Sequence, residues 1–362
     1  MGSPVDQEGM ETSSADVSVR VEGRVGRLTL CRAHALNALS HEMALAIEAA
    51  LLKWQTDDAV SLVLIDAVGE KAFCAGGDIT VLYNQGLAGD IESGRQFWRD
   101  EYRLNALIDA YSKPYVAVMD GITMGGGIGI SAHGSHRIVT ERSKLALPEC
   151  SIGLVPDVGS THLLAQAPGY LGEYLALTGE RIDASDALFA GFADYYVPAE
   201  RLQTLKSALV ESGDINIINT FHESTLTSSA LEMRAHLIND VFSADTLSAV
   251  LENLSHLEQE WAVSAFKKIG YSSPLSLTLA FDLVRAARST PGIEQALTRE
   301  YRFVSRAMAS ADILEGIRAA LIDRDRKPSW KHASIGEVPQ ALIDQLKQKV
   351  PGDSPVFKSS KG

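Results

Sequence analysis

Two glycine turns and three carboxylates are the residues of this chain best equipped for chemistry. Ala75-Gly76-Gly77-Asp78 and Gly125-Gly126-Gly127 each follow an apolar, strand-like stretch. Glycines between a strand and a helix let the backbone approach a ligand and leave the first helical N–H groups pointing outward. With the positive end of the helix dipole, such groups suit a negatively charged oxygen. One turn of this kind is also an ordinary tight connection. Two, after separate strands, can aim two N–H groups at one oxygen as an oxyanion hole, each donor worth about 10²–10³ in rate.

The carboxylates stand in apolar company. Glu149 follows Pro148, and Asp157 follows Pro156 and precedes Val158-Gly159-Ser160. The plain alternatives are a first-turn glutamate favoured by the helix dipole and a helix N-cap. Burial among apolar residues would instead displace both pKa values, as general acid/base work requires. Glu101 falls on the helical face of Phe97, Leu104 and Ile108, where an apolar residue belongs. It needs a partner, an exposed helix edge or a function. His133 and His136 bracket Gly134-Ser135, but no third ligand has metal-like spacing, so both are read as structural. Cys74 and Cys150 lie near the proposed site without an obvious base and read as buried small residues. Gly127-Ile-Gly129-Ile-Ser-Ala132 loosely fits a dinucleotide-binding GxGxxA, yet it lies too far along the chain for an opening βαβ unit.

These residues need a scaffold. VSVRVEG and RVGRLTLC alternate about Gly23 as a β-hairpin. Ser40 caps a helix carrying Met43, Ile47, Leu51 and Trp54. Residues 59–69 and 115–119 read as buried strands, HRIVTE as another, 84–94 as a mobile loop and 95–111 as a helix. Short helices follow from 159 to about 212, and from 226 nearly everything is helical: 231–241, 244–257, 275–288 and 293–308. The expectation is an α/β core followed by a helical C-terminal part. The divisions are a disordered segment 1–15, a core 16–220, a helical region 221–345 and a fraying tail 346–362.

Composition narrows the role. Of 362 residues 46% are hydrophobic and 22% charged, ample for a packed core. A net charge of −13 argues against a nucleic-acid partner, although a local basic patch for a small phosphorylated ligand stays open. No apolar run is long enough to span a membrane. Three cysteines without metal spacing and an N-terminus without a leader pattern point to a reducing compartment, the cytoplasm by default.

The chain resembles the crotonase (enoyl-CoA hydratase/isomerase) superfamily. HALNALSHEM, KAFCAGGDI, the KPYVAVMDGITMGGGIGIS run and LPECSIGLVPDVGSTHLL carry the likeness over roughly 15–215. FHESTL, SSPLSLTLAF, LTREYRFVSRAM and DILEGIRAALIDRDRKPSW extend it toward the 3-hydroxyisobutyryl-CoA hydrolases within that superfamily. The resemblance implies a repeated ββα spiral core with a helical C-terminal region. It also implies acyl-CoA thioesters as substrates, no metal or redox cofactor, and a homo-oligomer built on trimers. It puts the oxyanion-hole amides on Gly77 and Gly126. Ala75, Gly76, Asp78, His34 and Ala35 would then wrap the CoA arm, while Glu101, Glu149 and Asp157 would meet the acyl group, the last two as catalytic residues. Hydratases of the superfamily carry a first glutamate just after the glycine turn, and this chain has Gly129 there. The implied activity is hydrolysis of a short branched 3-hydroxyacyl-CoA, with Glu149 as base or nucleophile. Enoyl-CoA hydration or isomerisation, dinucleotide-dependent oxidoreduction and CoA binding without turnover are the rivals.

Overall fold

The computed structural model describes residues 16–224, 228–309, 311–350, 352 and 354–357. The segment 1–15, expected to be disordered, lies outside them, as do 358–362 of the expected tail. Two sheets divide the strands. β1 (Val17–Glu22) and β2 (Val25–Leu30) form the expected antiparallel hairpin, with Gly23 at φ 57°. β3 (Leu62–Ala67), β5 (Tyr115–Met119), β7 (His136–Val139) and β9 (Tyr195–Tyr196) extend it in parallel, in the order β1-β2-β3-β5-β7-β9. β4 (Ala72–Cys74), β6 (Ile122–Met124) and β8 (Lys144–Ala146) make a second, all-parallel sheet.

The chain therefore alternates, laying one strand in the large sheet and the next in the small one before each helical or turn segment. This is the expected ββα repeat. β3 and β5 are apolar on both faces because both are covered, as a near-continuous hydrophobic run requires. The small strands were not expected. Three residues are too few to show a period of two, so the sequence places the glycine turns after β3 and β5. In fact they follow β4 and β6.

α1 (His41–Gln55) is capped by Ser40, whose hydroxyl accepts the Met43 N–H at 3.2 Å. The loop expected over 84–94 is instead the end of α2 (Ile79–Leu87), a short link and the start of α3 (Ile91–Asp109). Its glycines are contact points rather than punctuation. A Cβ on Gly86 would lie 2.5 Å from Leu314, and one on Gly94 2.2 Å from Met308, so these helices press closely on the C-terminal part. The helix Glu260–Tyr271 fits the helical reading from 226 onward.

The largest apolar core takes in residues from Leu82 to Leu346. It joins Phe97 and Leu145 to Leu297 and Phe303, so the helical region closes over the sheet ends. The helix Gln340–Lys347 runs across the expected start of the tail, with Leu346 buried and Arg302 donating to the Lys347 carbonyl at 3.1 Å. Ser40→Ala removes the α1 cap and is expected to cost about 1 kcal/mol in chemical denaturation, the chain still folding.

Candidate active site

The three strands of the small sheet run parallel, so their C-terminal ends emerge side by side. Each delivers one wall of a cavity of about 150 Å³: Ala75–Gly77 after β4, Gly125–Gly126 after β6 and Pro148–Glu149 after β8. α3 supplies Glu101, and the turn after Pro156 supplies Asp157. Leu82, Phe97 and Trp98 form an apolar side. A neighbouring cavity of about 410 Å³ shares Leu82 and Phe97 and is lined by Arg32, Ser40, His41 and Asp78.

The glycine turns present their amides here. Gly77 bridges to Leu39, with Leu39 N–H donating to Gly76 O and Asp78 N–H donating to Leu39 O. Alternate backbone groups point opposite ways, so the Gly77 N–H is turned away from Leu39. Gly126 is the first residue of α4 (Gly126–Gly129), where an N–H has no intrahelical partner. A Cβ on Gly126 would stand 3.2 Å from the Gly77 nitrogen and 2.7 Å from Glu101 Oε1. The two glycines thus border one small space, with a carboxyl beside it. α4 is a single turn, too short to serve as the first helix of a dinucleotide-binding unit.

Glu101, Glu149 and Asp157 are 2%, 5% and 5% exposed. Among the described residues Glu101 Oε1 and Glu149 Oε2 have no hydrogen-bond partner. A Cβ on Gly125 would lie 3.1 Å from Glu149 Oε1, which puts that carboxyl against the glycine turn. Asp157 Oδ2 accepts from the Tyr102 hydroxyl at 2.8 Å. Burial, and then the charge of Asp157, push Glu101 and Glu149 well above the usual carboxylate range. Burial raises Asp157 itself to about 7, against the Tyr102 hydrogen bond. Groups displaced in this way, converging in a cleft, mark a functional site more often than a structural one.

Seven of the residues singled out from sequence meet in this cavity: Ala75, Gly76, Gly77, Glu101, Gly126, Glu149 and Asp157. Asp78 faces the larger cavity and is ion-paired to Arg32 at 2.8 Å. His34 is exposed and Ala35 half-buried, on a turn that backs the site: Leu36 O accepts from Ala75 N at 3.1 Å. His133 is buried and donates from Nε2 to Val158 O at 2.8 Å, a structural contact as expected. No group of three acidic, histidine or cysteine side chains suited to a metal occurs among the described residues. Cys74 is fully buried, its thiol pushed up to about 12.

A fourth buried carboxylate escaped the sequence reading. Glu300, on the helix Ile293–Ala307, is 0% exposed and accepts from Gly159 N, Thr161 N and Thr161 Oγ1 at 2.8, 3.1 and 2.5 Å. The signal that marks Glu101 marks it too, since Glu300 interrupts the apolar face of Ile293, Leu297 and Val304. Burial and the charge of Asp157 raise it to about 7.

Residues 25–346 match the family described as Enoyl-CoA hydratase/isomerase. The chain is 38% identical over 342 residues to the chicken protein named 3-hydroxyisobutyryl-CoA hydrolase, mitochondrial, covering 92% of this chain and 88% of that one. The human protein of the same name is 38% identical over 90% of this chain and 86% of its own. A crystal structure described as an enoyl-CoA hydratase from Rhodobacter sphaeroides 2.4.1 superposes with a TM-score of 0.90 at 44% identity, covering 94% of this chain and all of the other. One described as a carnitinyl-CoA dehydratase from Mycobacterium thermoresistibile gives 0.91 at 39%, covering 96% and 100%. The names of these relatives divide between hydrolysis and hydration.

A carboxyl whose folded pKa is raised contributes stability that is complete below its unfolded pKa of ~4 and lost as pH rises through its folded value. For Asp157 that window ends at about 7. Asp157→Asn is therefore expected to melt a few degrees above the native chain at about pH 8, the gap closing toward about pH 5 in thermal scans.

Proposed function

The chain belongs to the enoyl-CoA hydratase/isomerase family, and on that premise we propose that it hydrolyses the thioester bond of a short 3-hydroxyacyl-CoA, best matched by 3-hydroxyisobutyryl-CoA. One observation favours hydrolysis over hydration. A Cβ at Gly129, where the resemblance puts the first acid of a hydratase, would lie 2.8 Å from both Asn105 Nδ2 and Val158 Cβ. Position 129 therefore has no space for a second glutamate on the turn after Gly126. The relatives named as 3-hydroxyisobutyryl-CoA hydrolases support the same reading.

The thioester oxygen lies between the N–H groups of Gly77 and Gly126. Attack on the carbonyl carbon turns it into an oxyanion, which these donors stabilise more than the neutral carbonyl. With Glu149 as base, water forms the new C–O bond while its proton passes to the carboxylate. With Glu149 as nucleophile, an anhydride forms first and water then cleaves it. On either route the C–S bond breaks, and CoA leaves as a thiolate that takes up a proton to become the free thiol. Glu101 and Asp157 flank the acyl group and hydrogen-bond its 3-hydroxyl. The chemistry asks for no metal or redox cofactor, so dialysis against a chelator is expected to leave the rate unchanged.

Release of free CoA thiol from 3-hydroxyisobutyryl-CoA, set against 3-hydroxypropionyl-, acetyl- and crotonyl-CoA, tests the reading. Glu149→Gln is expected to lower kcat by about 10²–10⁴-fold with the fold intact. No release from any thioester, together with loss of crotonyl-CoA absorbance, would replace hydrolysis by hydration. The base must be ionised, so kcat should rise with pH through a limb displaced well above the usual carboxylate range, because burial and the charge of Asp157 raise Glu149. Label found in the Glu149 carboxyl after a single turnover in ¹⁸O-water would establish the nucleophilic route, since it enters there only when water attacks the Glu149 carbon of the anhydride.

A further inference from the structure

Asp157 sits on a turn that would not hold its shape unaided. Val158, next in sequence, has φ 55°, and Gly159 has φ 78°. A β-branched residue in the left-handed region is strained and persists only where its surroundings over-determine it. Two side chains do so here. From one side His133 Nε2 donates to Val158 O at 2.8 Å. Burial pushes His133 down to about 4, so the ring is neutral with its proton on the nitrogen that faces the carbonyl. From the other side Glu300 takes the Gly159 N–H on one oxygen, and the Thr161 N–H and hydroxyl on the other. Glu300 also precedes Tyr301, whose ring meets the edge of Tyr102 at 6.2 Å, and Tyr102 donates to Asp157. One stretch of the C-terminal helix thus backs both the main chain and the hydrogen-bond partner of Asp157.

We propose that Glu300 is a positioning residue, its carboxylate clamping the Val158–Gly159 turn so that Asp157 is aimed into the thioester cavity. The inference rests on the hydrolase reading for its kinetic consequence and on geometry for the rest. A carboxylate is required because every atom facing it is a donor, and an amide would turn an NH₂ toward one of them. Its charge acts as well. Asp157, Glu149 and Tyr102 face Glu300 across the site and Arg299 adjoins it on its own helix, so ionised Glu300 raises the proton affinity of the acids it supports.

The test combines steady-state kinetics against pH with a carboxyl ¹³C NMR titration of Asp157, assigned with Asp157→Asn, in the substrate-free protein. Glu300→Gln is expected to lower kcat by about 10²-fold with KM little changed, as misplacement of a reacting group does. The acid limb and the Asp157 midpoint should both move to lower pH. Glu300→Asp, which keeps the charge, should hold both near their native positions and recover part of kcat. If Glu300→Gln fails to fold, Thr161→Val carries the test, with a several-fold fall in kcat expected. Native kcat and an unmoved Asp157 midpoint in the folded variants would overturn the proposal. So would losses that fall equally on kcat and KM while the midpoint stays fixed. If the native protein cleaves no thioester, the hydrolase reading fails by itself, and the Asp157 titration in Glu300→Gln then decides this inference alone.

Discussion

Four buried carboxyl groups stand close together, and among the described residues no lysine or arginine bridges any of them. Elsewhere the chain treats buried acids differently. Glu173, fully buried, is met by Arg285 and Arg288, and Glu48 by Arg103. Unpaired burial is costly, and a protein meets that cost by keeping the proton on the acid rather than exposing it. Donors set against two of them pull the other way and favour the ionised form: Tyr102 donates to Asp157, and three donors serve Glu300. Burial and hydrogen bonding thus act on these acids in opposite directions.

The small sheet organises the rest. Parallel strands of three residues contribute little stability themselves, but they bring three separate stretches of chain to one end. The helices behind them, α3 and Ile293–Ala307, supply Glu101 and Glu300. The groups that line the cavity from residues 77 to 157 thus come from the ββα part, while the carboxylate bonded to the turn after Asp157 arrives from beyond residue 290.

Sequence patterning reveals elements long enough to repeat a period. The hairpin about Gly23, α1 with its Ser40 cap, the buried strands β3 and β5 and the long C-terminal helices are all readable this way. β4, β6, β8 and β9 have two or three residues and no pattern to read. Gly86 and Gly94 mislead because glycine serves both flexible links and close helix contacts, and only the tertiary partner tells which. The site is more visible than the scaffold that builds it. Glu101 stands out because a carboxylate interrupts an apolar stripe. Glu300 breaks its own stripe in the same way, but its relevance depends on which turn the helix packs against. Val158 gives no sign at all, since its strain is a property of φ and not of residue type.

Gly129 bears on how this protein relates to its family. A side chain there meets Asn105 and Val158 at once, and Val158 cannot shift without disturbing Asp157. Exchange of hydrolysis for hydration on this scaffold is therefore not a matter of one substitution. A glutamate introduced at 129 first encounters a filled space, and its benefit appears only after its neighbours have shrunk or turned. Residues in contact do not contribute independently. The order of mutational steps consequently matters. Two chemistries separated by a few atoms are held apart by an epistatic barrier made of ordinary packing.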